Sequence, residues 1–309
     1  MNITITGDIG SGKSTVARII AEQLNMDVIE TGELYRKYSN EHGVDVLGQN
    51  KSDDWSIDRK IDSEIARLGK EVDNTIFVSR LAWYFIPNAV NIYLTVNPIL
   101  AAKRVSMNKE RVSEKHSNYV ETLKYNQERK SLELNRYKKM YNLYDPSGYL
   151  NADIIVAIGK NTVETVSSCI ISAIKNKDYG IFIDPKTILP TQVFRDLNPD
   201  RIESYIAEFE EQQDKIYYNE ELSLCYDGLN YYVTDGHHRL IAIIKRNIKF
   251  VKVSRINNIN FKLDTFTIYD YEDIAGISLA DEVECYDTIA LDTTKKSILS
   301  EAISNMCPQ

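Results

Sequence analysis

The sequence predicts an α/β protein: a parallel sheet with flanking helices over the first half, then a smaller α+β region. Three observations carry this. Short apolar strand signals alternate with amphipathic helix signals over residues 2–175, the pattern of strands joined by crossover helices. The glycine-rich stretch Gly7-Asp8-Ile9-Gly10-Ser11-Gly12-Lys13-Ser14 stands between the first strand signal and the first helix signal. After the polar break Asn176-Lys177-Asp178 the pattern changes to a hairpin with shorter elements. The expected domains are therefore 1–176 and 178–309, the second with a compact part to about 260 and a C-terminal extension.

Residues 2–6 read as a short buried strand. Residues 13–24 read as a helix with Val16, Ile19, Ile20 and Leu24 on one side. A second helix opens near Gly32, and a third carries Ile57, Ile61, Ile65 and Leu68 at helical spacing. Residues 75–79 and 90–95 are β-rich and bounded by turn residues. Pro98 starts another helix, since its missing N–H is not needed in a first turn. Residues 118–144 are highly charged and rich in tyrosine, 153–158 form a further strand, and a helix follows to about 175. Beyond the break, 180–183 reads as a strand and 199–211 as a helix started by Asn198 ahead of Pro199. Residues 222–234 read as a hairpin turned at Asp227-Gly228. A helix over about 238–246 and a strand over 250–256 follow, and the acidic, tyrosine-rich remainder gives no motif.

Composition narrows the function classes. Of 309 residues, 43% are hydrophobic and 27% charged, a soluble globular profile. No apolar run approaches the roughly 18 residues that span a bilayer. The start, with Ile3 and Ile5 running into the glycine-rich stretch, lacks the basic leader of a signal peptide. The expected location is the cytoplasm. Cys169, Cys225, Cys285 and Cys307 lie far apart, so isolated reduced thiols are expected rather than a zinc or redox motif. A net charge of −8 disfavours a nucleic-acid partner, which would call for a basic stripe.

Residues 7–14 fit G-x-x-x-x-G-K-[ST] in the strand–loop–helix context its mechanism requires. Gly7, Gly10, Ser11 and Gly12 let backbone N–H groups converge on phosphate oxygens, and the helix that follows through Thr15 adds its dipole. Lys13 reaches the β- and γ-phosphates of ATP, and Ser14 ligates Mg²⁺. Phosphoryl transfer also needs cations around the equatorial oxygens. The candidates are Arg36 in Thr31-Gly32-Glu33-Leu34-Tyr35-Arg36, Arg80 in Ser79-Arg80-Leu81-Ala82, and Arg104, Arg111, Arg129 and Arg136 in or beside the charged helical stretch.

On these motifs, with E-R-K-S-x-x-x-x-R-Y at 128–137 and Y-N-L-Y-D at 141–145, the first 175 residues resemble a cytidylate kinase of the compact archaeal type. The resemblance implies a P-loop kinase fold, Arg36 and Arg80 on the acceptor monophosphate, and a lid at about 104–136. That lid would bring Arg129 and Arg136 onto the transferring group, with Asp145 ordering its end. Two departures add bulk on the acceptor side: Ser79 stands where a glycine usually precedes Arg-Leu, and Trp83 where a glycine is common.

The second region has one constellation, Asp235-Gly236-His237-His238-Arg239, between a strand and a helix. Adjacent histidines point different ways, so the turn reads as an anion cradle with a basic cap rather than a metal site. His237 and His238 would tune it around neutral pH. With I-L-P-T-Q at 188–192 and V-T-D-G-H-H-R-L at 233–240, residues 180–256 resemble the ParB/sulfiredoxin-like fold, closest to its free-serine kinase branch. That branch carries a catalytic glutamate where this chain has Gln192. The resemblance therefore implies nucleotide or substrate binding, or catalysis through another acid such as Asp196 or Asp235.

Three readings stay open: an ATP-dependent nucleoside-monophosphate kinase, a small-molecule kinase whose acceptor, such as free serine, is handled by the second region, and a non-catalytic nucleotide sensor. The first two share one prediction. Lys13→Ala should slow phosphoryl transfer on the order of a thousandfold while the fold survives. Assays with labelled ATP check this, and near-normal turnover would remove the loop as the donor site.

Overall fold

A computed structural model describes residues 1–32, 55–107, 118–190, 198–210, 215–219, 222–226, 230–253 and 256–258. They divide into two compact units. The first comprises Met1–Val96, Ala101–Val156 and Val166–Tyr179; the second takes Asn97–Leu100, Ala157–Thr165 and the chain from Gly180 onward.

In the first unit, strand β1 (Ile3–Gly7) leads into helix α1 (Lys13–Leu24) and strand β2 (Asp27–Glu30). Helix α2 (Ser56–Glu71), strand β3 (Thr75–Val78), the one-turn helix α3 (Ala82–Phe85) and strand β4 (Val90–Thr95) follow. Then come helices α4 (Pro98–Met107) and α5 (Tyr119–Tyr141), strand β5 (Ile154–Ala157) and helix α6 (Val163–Asn176). The strand order is β2-β3-β1-β4-β5. β1 runs parallel to both β3 and β4, with Ile3 opposite Ile76 and Val90, and β2 runs parallel to β3. The chain crosses over at β1, so the glycine-rich loop leaves the carboxyl end of the strand where the order reverses, the place where open α/β sheets bind ligands. Ile3, Ile5, Ile76, Phe77, Ile92, Leu94, Ile154 and Val156 are fully or almost fully buried, as central parallel strands covered on both faces require. The spacing read in α2 is used as expected: Ile65 is buried with Phe77, Ala82, Ile86 and Ala89, and Ile61 and Leu68 pack alongside. Asn118 caps α5 by accepting the Glu121 N–H at 3.0 Å, and Asn142, in the left-handed region at φ 52°, ends it. The helix expected from Gly32 onward lies almost wholly outside the described residues.

The second unit contains strands β6 (Gly180–Ile183) and β7 (Ile188–Pro190), helix α7 (Pro199–Glu210) and strands β8 (Tyr217–Asn219), β9 (Ser223–Tyr226) and β10 (Tyr231–Asp235). Helix α8 (His237–Lys245) and strands β11 (Phe250–Val253) and β12 (Ile256–Asn258) complete it. β9 and β10 pair antiparallel as the hairpin reading expects, with the turn at Asp227-Gly228 outside the described residues. Asn198 accepts the Asp200 N–H at 2.9 Å at the start of α7, again as expected. The single strand expected over 250–256 is instead two: β11 pairs with β6 and β8, whereas β12 pairs with β9 in the sheet ordered β12-β9-β10-β7. A continuous β-rich run does not reveal that its two ends serve different sheets. Ile188, Leu189, Tyr232, Val233, Leu240, Ile241 and Ile243 form the core of this unit. Cys169 and Cys225 are buried and reduced, and among the described residues no helix is long and apolar enough to cross a membrane.

Candidate active site

The loop after β1 is shaped by its glycines. Gly7 adopts φ 139° where it lies opposite Leu94 of β4, and a Cβ there would collide with the Leu94 backbone. Gly10 and Gly12 also take positive φ, at 82° and 77°, and Gly12 is the residue from which α1 springs. Ser11 is buried, its hydroxyl donating to the Asp8 carbonyl at 2.8 Å. Lys13 Nζ folds back over the loop, donating to the carbonyls of Gly7 at 2.9 Å and Asp8 at 2.6 Å. Ser14 is half-buried and Thr15 exposed in the first turn of α1. Among the described residues no cluster of three His, Cys, Asp or Glu side chains could hold a metal. A magnesium ion here would take the Ser14 hydroxyl and nucleotide oxygens, a hard oxygen set that suits it.

Helix α5 supplies the opposite wall. Glu133 is buried and pairs with two of the expected arginines: Arg80, just beyond β3, and Arg129, whose Nε lies 3.0 Å from the carboxylate. One turn earlier, Lys130 Nζ sits 2.7 Å from Asp8 in the loop. The Arg80 backbone is fixed too, its carbonyl accepting from Trp83 Nε1 at 3.0 Å. That bond turns Trp83 inward, against Leu81, Tyr137 and Leu143 and into the space a Cβ on Gly148 would need, so its bulk goes to the core rather than to the acceptor side.

Arg136 sits apart from these. It is 5% exposed, pairs through Nη2 with the buried Asp58 at 3.1 Å and lies over the Tyr137 ring. Beside it, the Tyr141 hydroxyl donates to Asp62 at 2.7 Å. Burial raises the Asp62 pKa from 3.8 to about 6; Tyr141 and Arg136 oppose this and Asp58 reinforces it. Asp145 accepts the N–H groups of Ser147 at 2.9 Å and Leu150 at 2.8 Å, so these bonds order the turn after α5. Arg104 lies in the last turn of α4. Arg36, Arg111, Gln192 and Asp196 fall outside the described residues.

In the second unit, a register shift between Val233 and Asp235 precedes Gly236, which takes φ 100° and starts α8. Asp235 is exposed. His237 is buried, and burial holds its pKa down at about 4, with Asp235 opposing and His238 assisting. His238 Nε2 accepts the Asn198 N–H at 3.1 Å, and burial and Arg201 lower its pKa. The expectation of histidines titrating around neutral pH is therefore corrected: His237 is neutral there, and His238 is shifted the same way and tied to α7. Arg239 lies over the Tyr205 ring at 5.5 Å. Arg239 and Arg201 also hydrogen-bond the Tyr205 hydroxyl, lowering its pKa.

Sequence reasoning missed Glu133, Lys130, Asp58 and Asp62 in the first unit and Arg201 and Tyr205 in the second. The i,i+4 spacing of Arg129 and Glu133 was a usable signal. The contacts of Lys130 and Asp58 join positions too remote in sequence to be read locally.

A phosphate loop at the crossover of a β2-β3-β1-β4-β5 sheet, walled by an arginine-bearing helix, defines the first unit as a P-loop kinase. Comparison with known proteins narrows the class. The cytidylate kinase sequence signature matches residues 3–67. A cytidylate kinase from Methanocella arvoryzae is 36% identical over 178 residues, covering 56% of this chain and 97% of that protein. One from Archaeoglobus fulgidus is 27% identical over 180 residues, 57% of this chain and 96% of its own length. The chain thus belongs to the cytidylate kinase family through its first unit and is a kinase of the nucleoside-monophosphate type. Among solved structures, a shikimate kinase from Acinetobacter baumannii aligns over 57% of this chain and 94% of its own at 16% identity, with a TM-score of 0.40.

The Asp62 environment predicts a pH effect. Its folded-state pKa lies above the ordinary value, so the folded protein binds more protons between pH 3.8 and about 6 and loses stability as pH rises through that window. Asp62→Asn keeps an acceptor for Tyr141 and removes the buried charge. Thermal melts should show it stabilised by on the order of 2 kcal/mol at pH ~8 and little changed at pH ~4. A variant weaker than wild type at pH ~8 but not at pH ~4 would show that Arg136 depends on the ionised form.

Proposed function

We propose that the first unit transfers the γ-phosphoryl group of ATP, with Mg²⁺, to a pyrimidine nucleoside monophosphate, CMP first among them. One observation carries the reading. Over a single turn of α5, Lys130 reaches Asp8 of the donor loop and Glu133 reaches Arg80 at the end of the neighbouring strand. The phosphate loop and the acceptor arginine therefore share one rim. The glycines and Ser11 cradle the polyphosphate, Lys13 leaves its carbonyl partners for the β- and γ-oxygens, and Ser14 holds the magnesium. Arg80, with Arg36 by family resemblance, holds the acceptor phosphate, and Arg129, on the same Glu133 carboxylate, meets the transferring group. Arg136, paired with Asp58, braces the helix that presents them. The kinase names of the relatives support the acceptor class.

The second unit is read as a ParB/sulfiredoxin-like module that binds a phosphorylated ligand at Asp235, Gly236, His237, His238 and Arg239. The convergence of Arg201 on Tyr205 beside Arg239 supports this, since two arginines held close together favour an anion between them. With both histidines shifted toward the neutral form, the arginines supply the charge.

Two outcomes are expected. In a screen of the full chain with labelled ATP against nucleoside monophosphates and amino acids, CMP should be the preferred acceptor. Arg80→Ala should raise its KM by at least about tenfold and change the KM for ATP much less. Serine labelling in place of CMP would move the acceptor to the second unit. Calorimetry of the full-length Lys13→Ala protein with CTP and ATP should still detect one site, lost on Arg239→Ala. If Arg239→Ala leaves that binding unchanged, the turn is structural.

A further inference from the structure

Asp8 is an unusual occupant of a loop that must receive a polyphosphate. Its carboxylate lies only one residue beyond the glycine whose carbonyl Lys13 touches. An uncompensated negative charge there would repel the nucleotide.

The structure shows how that charge is managed. Oδ2 accepts the Thr95 hydroxyl at 2.8 Å and the Val96 N–H at 3.2 Å, which turns the carboxylate toward the end of β4. Oδ1 accepts the Tyr93 hydroxyl at 3.1 Å and the Lys130 ammonium at 2.7 Å. The Asp8 carbonyl meanwhile accepts from Lys13 and from Ser11. Two lysines from distant parts of the chain thus end on one residue, Lys13 on its backbone and Lys130 on its side chain. The Asp8 side chain is 15% exposed and that of Lys130 33%, so the pair is partly screened from water. Burial alone would raise the pKa of Asp8. Lys130, Thr95 and Val96 outweigh burial and hold it below the ordinary carboxylate value, while nearby Tyr149, whose own pKa is raised, stays neutral.

We propose that Lys130 is a positioning residue of the donor site: it cancels the charge of Asp8 and fastens helix α5 to the phosphate loop, so that the loop meets the nucleotide polyphosphate as a net cation. The inference rests on the reading of residues 7–14 as the ATP site. Lys130 acts through Asp8, and its effect on nucleotide affinity disappears when Asp8 carries no charge.

The test is calorimetric titration of ATP into full-length variants, with no acceptor present. Lys130→Met should weaken ATP binding by about tenfold or more, as expected for exposing one part-buried charge to a polyphosphate. Lys130→Arg should keep affinity close to wild type. The double variant Asp8→Asn/Lys130→Met should recover it to within about threefold. In Lys130→Met only Thr95, Val96 and Tyr93 still act against burial at Asp8, so its pKa rises and ATP binding should strengthen from pH ~8 to pH ~6 more steeply than in wild type. A purely structural lysine would give neither the rescue nor the pH profile. If Lys130→Met does not fold, Asp8→Asn alone decides: the proposal requires it to bind ATP at least as tightly as wild type, and looser binding overturns it. Unchanged affinity in Lys130→Met, or a double variant as weak as the single, also overturns it. A wild-type chain that binds no ATP would fell the donor-site reading itself and this proposal with it.

Discussion

The helical repeat of α5 is the constraint on which the kinase unit depends. Residues three and four apart share a face, so Arg129, Lys130, Glu133, Arg136 and Tyr137 form one continuous surface. Through it the helix reaches Asp8 in the loop, Arg80 beyond β3 and Asp58 on α2. Three elements remote in sequence are held in register by ion pairs from one rigid rod. The capping of that rod by Asn118 and Asn142, and the turn closed by Asp145, are therefore part of the site's architecture even though none of them touches it.

The pairs on this face are not equivalent. Arg136 and Asp58 are both deeply buried, the setting in which desolvation rivals attraction and losing one partner strands the other. Asp62 beside them illustrates the strain: burial, reinforced by the neighbouring Asp58 charge, raises its pKa despite Tyr141 and Arg136. Arg80 and Lys130 are about a third exposed and make softer contacts at the rim. The inner end of the face thus fixes the helix, and the outer end meets the part of the unit where nucleotides would enter.

Local chemistry was legible in the sequence. The loop could be read because its glycines, lysine and serine lie within eight residues, and the strands because parallel sheets bury continuous apolar runs such as residues 154–157. Helix α2 announced itself through Ile57, Ile61, Ile65 and Leu68. The ion-pair partners were not legible, since Asp8 and Lys130 are 122 positions apart and no periodicity links them. Arg136 looked like Arg129 in sequence, as both are arginines in a charged helix; only the third dimension shows one at the rim and the other under it. The histidines of the second unit were misjudged for the same reason. Their shifted pKa values come from burial and from Arg201 on another helix, neither of which a Gly-His-His-Arg motif encodes.

The shared carboxylate of Glu133 makes occupation of Arg80 and Arg129 an exchange rather than an addition. On the proposed reading, an acceptor phosphate arriving at these guanidinium groups competes with a counter-charge that the protein itself provides, so its affinity is the difference between two attractions. Glu133 brings one charge against two, so it offsets the arginines in part before the anion arrives and can do so again once it leaves. On that reading, such a site trades tightness for release, a balance that suits turnover better than storage.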